Sequence, residues 1–110
     1  MKCSQILLNH DDFDDRHRLM NLNHTINALL NYGVVPIINE NDVVAIEEFK
    51  IGDNDTLSAT VAGIVDADLL IIDDLGTESM NTAKLSELFN ILNARILNQK
   101  KKTIISTNLN

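Results

Sequence analysis

The apolar positions of the chain fall into four short runs separated by stretches of helical spacing. The runs lie at 4–9 (around Ile6-Leu7-Leu8), 34–39 (Val34-Val35-Pro36-Ile37-Ile38), 69–72 (Leu69-Leu70-Ile71-Ile72) and 103–107 (around Ile104-Ile105). Each is bounded by polar or turn-forming residues, the pattern of strands buried in a parallel sheet. Between the first two runs, Phe13, Leu19, Met20, Leu22, Ile26, Leu29 and Leu30 predict one amphipathic helix over 13–31. Asp11 or Asp12 can cap it, and Tyr32-Gly33 stops it. A second helix is predicted over 57–65, capped by Asp55 or Thr56, with small residues (Ser58, Ala59, Ala62, Gly63) that allow close approach to a sheet. A third spans 81–99 on Leu85, Leu88, Phe89, Leu92, Ile96 and Leu97, with Asn81 or Thr82 as its cap and Lys100 to Lys102 at its negative end. Residues 43–55 have mixed spacing and read as an excursion or hairpin. The order β-α-β-α-β-α-β implies a single α/β domain: a mainly parallel sheet of about four strands with helices on both faces, a three-layer α/β/α arrangement.

Composition narrows the class. Hydrophobic residues make up 45% of the 110 and aromatic ones 4%, so the core must be aliphatic, the usual filling of strands covered by helices. A formal charge of −7 opposes binding to a phosphate backbone, and no nucleic-acid partner is expected. No apolar run approaches the roughly 18 to 20 residues that span a bilayer, and no signal-peptide pattern is present. With a single cysteine, Cys3, a reducing cytoplasm and no membrane partner are expected. Edge strands with unpaired N–H and C=O groups make a homodimer through exposed sheet edges an expectation.

Chemistry concentrates at strand ends. Asp73 and Asp74 follow the run at 69–72, at the rim where open α/β sheets place ligands and where a Walker B element holds Mg²⁺. They are candidate ligands for weakly bound Mg²⁺, and no other cofactor is expected. His10, His17 and His24 stand seven apart, wider than the i, i+4 spacing that lets two histidines grip one metal, so they read as solvated or partly packed. No G-x-x-x-x-G-K-[ST] phosphate loop occurs, and none of the four glycines, Gly33, Gly52, Gly63 and Gly76, adjoins a lysine.

Longer motifs carry two resemblances. Gln5-Ile6-Leu7-Leu8, Asp11-Asp12-Phe13-Asp14-Asp15-Arg16, Asn21, Thr25, Gly33 to Asp42 with its Asn39-Glu40-Asn41-Asp42, and Lys50 to Ala59 with its Gly52-Asp53-Asn54-Asp55 resemble the glutamate 5-kinases of the amino-acid kinase family, over about residues 2–70. The resemblance implies that Asp42 and Asn54 contact substrate glutamate. The family's glycine-rich phosphate loop and catalytic lysine have no counterpart here, and Asp73-Asp74 stand where a Thr-Asp pair is expected.

The second begins in the same strand. Leu69 to Glu78, Leu88 to Arg95 and Lys102 to Leu109 resemble the AAA+ ATPase domain of bacterial replicative helicase loaders, over about residues 68–110. This resemblance implies that Asp73 helps hold Mg²⁺, Asp74 orients an attacking water and Asn108 is a nucleotide sensor. The two together suggest a chimera joined within 69–72, engineered or recombined, whose property is folding and which is not an enzyme because each parental site is incomplete. The alternative is a remnant module binding Mg²⁺, nucleotide or glutamate at the carboxyl ends of the strands.

Overall fold

The computed structural model describes residues 1–41, 54–75 and 82–107. All four expected strands are present, each parallel to its partner, and helices alternate with them, so the α/β class holds. The strands pair two by two, first with second and third with fourth. The chain divides into two compact units, Met1–Ile51 and Gly52–Asn110.

In the first unit, β1 (Lys2–Leu8) and β2 (Val34–Glu40) run in register from Lys2 opposite Val34 to Leu8 opposite Glu40. Between them lie α1 (Asp11–Asp14) and α2 (Arg16–Asn31). The single helix expected over 13–31 is thus broken at Asp15, which adopts an extended conformation (φ −99°, ψ 121°). Its carboxylate accepts hydrogen bonds from the backbone N–H of His17 (2.8 Å) and Arg18 (3.4 Å). An aspartate that satisfies two of the otherwise unpaired donors of a helix start stabilises the start more than it would a helix interior, by about 1 kcal/mol. Neither Asp11 nor Asp12 caps α1. Its N-cap position is His10, and the Asp12 carboxylate instead accepts from the Asn9 N–H at 2.7 Å. At the other end of α2, Gly33 takes φ +73° as expected of a stop. One side of the sheet packs on Leu22 and Ile26 of α2, and with them Leu8 is buried.

The second unit contains α3 (Asn54–Ile64), β3 (Leu69–Leu75), α4 (Thr82–Leu97) and β4 (Lys102–Thr107). Its core is Ala59 and Ala62 of α3, Leu70 and Ile72 of β3, and Leu88 and Leu92 of α4. The two alanines let α3 lie close to the sheet. Thr56 is fully buried at the third described position of α3. Asp66 ends this helix in the left-handed conformation (φ 54°), with Ala67 N–H bonded to Ala62 O (2.9 Å) and Asp66 N–H to Gly63 O (3.3 Å). This is the double hydrogen bond of a Schellman cap, with aspartate where glycine is usual.

Two cations tie the far ends of the elements together. Arg95, buried on α4, donates through Nε to Thr103 Oγ1 (3.0 Å) and through Nη2 to the carbonyls of Ala67 (3.2 Å) and Lys102 (2.9 Å). Lys101, expected merely to favour the end of a helix, donates Nζ to the Asp66 carbonyl (2.9 Å) and lies 3.1 and 3.2 Å from the carboxylates of Asp66 and Asp68. The hydrogen bond to the Asp66 carboxylate holds its pKa above the usual lysine value; desolvation opposes this, and Asp68 adds to it.

Candidate functional site

β3 does not end at Ile72 but continues through both aspartates to Leu75. Ile72 pairs with Ile105 and Leu75 with Thr107, so three steps along β3 match two along β4 and one residue is extra. Asp74, at φ 56°, absorbs it as a β-bulge. The consequence is a phase shift. Leu70 and Ile72 point into the core, and strict alternation would turn residue 74 inward and 75 outward. With the bulge, Asp73 and Asp74 are both exposed and Leu75 returns to the edge of the core. Two adjacent carboxylates therefore face solvent at the carboxyl end of a strand whose inner face remains apolar.

Asn54 belongs to the same end of this unit. The tight connection through Asp66 sends β3 back against α3, and Ala62 and Leu70 meet in the core near that turn. From there α3 rises about 12 Å back to Asn54, and β3 advances about 13 Å to Asp74. Helix start and strand end lie at about the same level. The expected glutamate contact and the expected Mg²⁺ ligands are thus at one rim. Asp42 and Asn108 lie outside the described residues, as does most of the excursion over 43–55.

As a metal site, the pair of aspartates is sparse. Among the described residues, the set of three or more His, Cys, Asp or Glu groups with ligand atoms within 4.8 Å of one another is His10, Asp11 and Asp14. Among the described residues Asp73 and Asp74 belong to no such set, so those residues offer Mg²⁺ two carboxylates, with water to complete its octahedron. In the first unit, His10 Nδ1 stands 2.9 Å from Asp14 Oδ2, the i, i+4 spacing absent among the histidines alone. An open cleft of about 300 Å³ beside the end of β1 is floored by Ile6, Leu8 and Leu22 and rimmed by Asp12, Arg18 and Asn21. The Arg18 guanidinium lies 3.7 Å from Asp12. These polar residues were legible only as part of a longer motif. His10-x-x-x-Asp14 was the signal, masked by reading the histidines against each other.

Residues 1–74 match the amino acid kinase family. The chain belongs to that family. Glutamate 5-kinases of Caldanaerobacter subterraneus subsp. tengcongensis and Moorella thermoacetica are each 61% identical to it over 69 residues, 63% of this chain and 18% of each relative. That of Streptococcus sanguinis is 61% identical over 69 residues, 63% of this chain and 19% of the relative. The chain thus spans under a fifth of the length of these amino acid kinases.

One expectation is corrected by these relatives. A chain read as not an enzyme has relatives about 60% identical that are named for a kinase activity. That reading gave the missing phosphate loop more weight than the length and density of the matched motifs. The expectation of no membrane partner meets one structural fact: among the described residues, no helix is long and apolar enough to cross a membrane.

Proposed function

We propose that the chain is the glutamate-binding segment of an amino acid kinase that phosphorylates glutamate. The observation that carries this reading is the 61% identity to glutamate 5-kinases over 69 residues, a span that includes the motifs around Asp42 and Asn54. In support, Asn54 lies at the start of α3, level with the acidic rim of β3, where an amide can orient a small polar substrate. Asp42 is the second glutamate contact implied by resemblance. Mg²⁺ held by Asp73 and Asp74 would neutralise charge on transferring phosphates. Asp73 and Asp74 would hold the ion at an exposed rim, outside the apolar core.

Titration with L-glutamate, followed by amide shifts in an NMR spectrum, tests the reading. Saturable shifts should centre on the start of α3. Asn54→Ala should weaken binding about tenfold, the loss of one well-placed polar contact. No saturable shift, or an Asn54→Ala variant that binds as wild type does, would overturn it.

A second reading is favoured by one observation. The family match stops at residue 74, inside β3, at the strand where a helicase-loader-like segment was read to begin. Residues 75–110 would then be of other origin, joined through a strand common to both parents. A search restricted to residues 75–110 that recovers only amino acid kinases would remove this reading.

A further inference from the structure

We propose that the open face of the β3–β4 sheet is a self-association surface, closed by the same face of a second copy of the chain around a two-fold axis. One face of this sheet packs on Ala59, Ala62, Leu88 and Leu92. The other presents Leu69, Ile71 and Asp73 from β3, beside Lys102 and Ile104 from β4. Leu69, Ile71 and Ile104 are 48%, 60% and 54% exposed. Parallel strands are stable when covered on both faces, and a two-stranded sheet alone is marginal in water. Among the described residues of this unit, none covers this face.

Charge selects the occupant and its orientation. The face has a cation at one end, Lys102, and an anion at the other, Asp73, about 13 Å apart along the strands. The aliphatic residues lie between them. Consider two copies packed face to face about an axis lying in the interface and crossing the strands. Ile71 then meets Ile71 of the second copy, Ile104 meets Ile104, and each Lys102 comes to the end that holds Asp73 of the other. The remaining sideways offset is one strand spacing, about 4.8 Å, which a lysine stem reaches. An axis along the strands would instead set Lys102 on Lys102 and Asp73 on Asp73. The face is therefore self-complementary in one arrangement and self-repelling in the other, the requirement for an isologous dimer. This surface is distinct from the sheet edges and involves no proposed glutamate contact, but it shares Asp73 with the proposed Mg²⁺ site.

Sedimentation equilibrium of the full chain tests the proposal. The mass should rise with concentration from 12.3 kDa to twice that value. Ile71→Lys should raise the dimer Kd at least about tenfold by placing charge at the axis. Lys102→Glu, a change at an exposed side chain that leaves the core untouched, should raise it about tenfold through two lost pairs. The double variant Lys102→Glu/Asp73→Lys should restore the wild-type Kd to within a factor of about three. Far-UV circular dichroism identical to wild type shows that a variant has folded. A monomer mass up to about 1 mM, where even a millimolar Kd would register, overturns the proposal. So does a dimer indifferent to Ile71→Lys, or a charge swap that fails to restore what Lys102→Glu removes.

Discussion

The bulge at Asp74 separates two neighbouring aspartates that sequence alone treats as equivalent. Asp73 and Asp74 are both exposed, yet Asp74 takes φ 56° while the strand before it alternates regularly. A β-branched side chain in the left-handed region meets the backbone carbonyl, at about 1–2 kcal/mol above what aspartate suffers there. Asp74→Val should therefore destabilise by that amount. Asp73→Val sits in extended backbone, where valine is favoured, and should stay within about 0.5 kcal/mol of wild type. In a domain of roughly 60–100 residues each kcal/mol is about 4–8 °C of melting temperature, so thermal unfolding by circular dichroism resolves the two. Asp74→Gly removes the steric conflict but adds about 0.5–1 kcal/mol of chain entropy to the unfolded state, leaving stability near wild type. Deleting Asp74 is the sharpest form of the test. Leu75 would still face inward, now by plain alternation, so the deletion should be tolerated within about 1 kcal/mol. If Asp74→Val melts with Asp73→Val, or the deletion unfolds the protein, the phase-shift account is wrong.

Two further outcomes follow from the cations of the second unit. Arg95→Met keeps much of the apolar stem but withdraws three hydrogen bonds, including those to the Ala67 and Lys102 carbonyls; chemical denaturation should show a loss of about 2–4 kcal/mol. Lys101 has a folded pKa raised by Asp66 and Asp68, so its contribution is full below the unfolded lysine value of about 10.4 and is lost as pH rises through the raised one. Melting temperature measured from pH 7 to 11.5 should fall at the alkaline end in wild type, and Lys101→Met should lower the neutral plateau and flatten that fall.

Much of the element order was legible because aliphatic runs and helical spacing are strong signals, and Gly33 announced its own stop. The features that the pattern does not signal have a common physical form: aspartate in a role usually signalled by another residue. Asp15 breaks a helix that periodicity alone carries through 13–31, because its carboxylate serves two backbone donors. Asp66 and Asp74 take positive φ where glycine is the ordinary cue. Helix α4 shows a different limit. Its apolar positions form two adjoining stripes, and the structure buries Leu88, Leu92 and Arg95 while leaving Leu85, Phe89 and Ile96 exposed. Spacing of i, i+4 and i+7 was present, but its third member is an arginine, which a hydrophobic pattern discards.

The candidate site was legible as a set of residue types, and the fold supplies the reason some of them share a rim. Asn54 and Asp73-Asp74 are brought level by an antiparallel helix and strand of nearly matched rise. Two inward residues of that strand, Leu70 and Ile72, keep it seated while the bulge turns its end outward. The family match ends at residue 74, so the side chains named at the rim belong to the amino acid kinase part of the chain. The core beneath them does not belong to it alone. Ala59, Ala62, Leu70 and Ile72 come from the matched residues, whereas Leu88 and Leu92 come from beyond them. Truncating either leucine to alanine would cost about 2–5 kcal/mol, comparable with the whole stability of a small domain. Whatever its origin, the segment after residue 74 thus holds the rim in place without contributing a side chain named in it. A ligand that bound Asn54 or the aspartates would therefore also stabilise α4 and β4, and damage to α4 would weaken its binding.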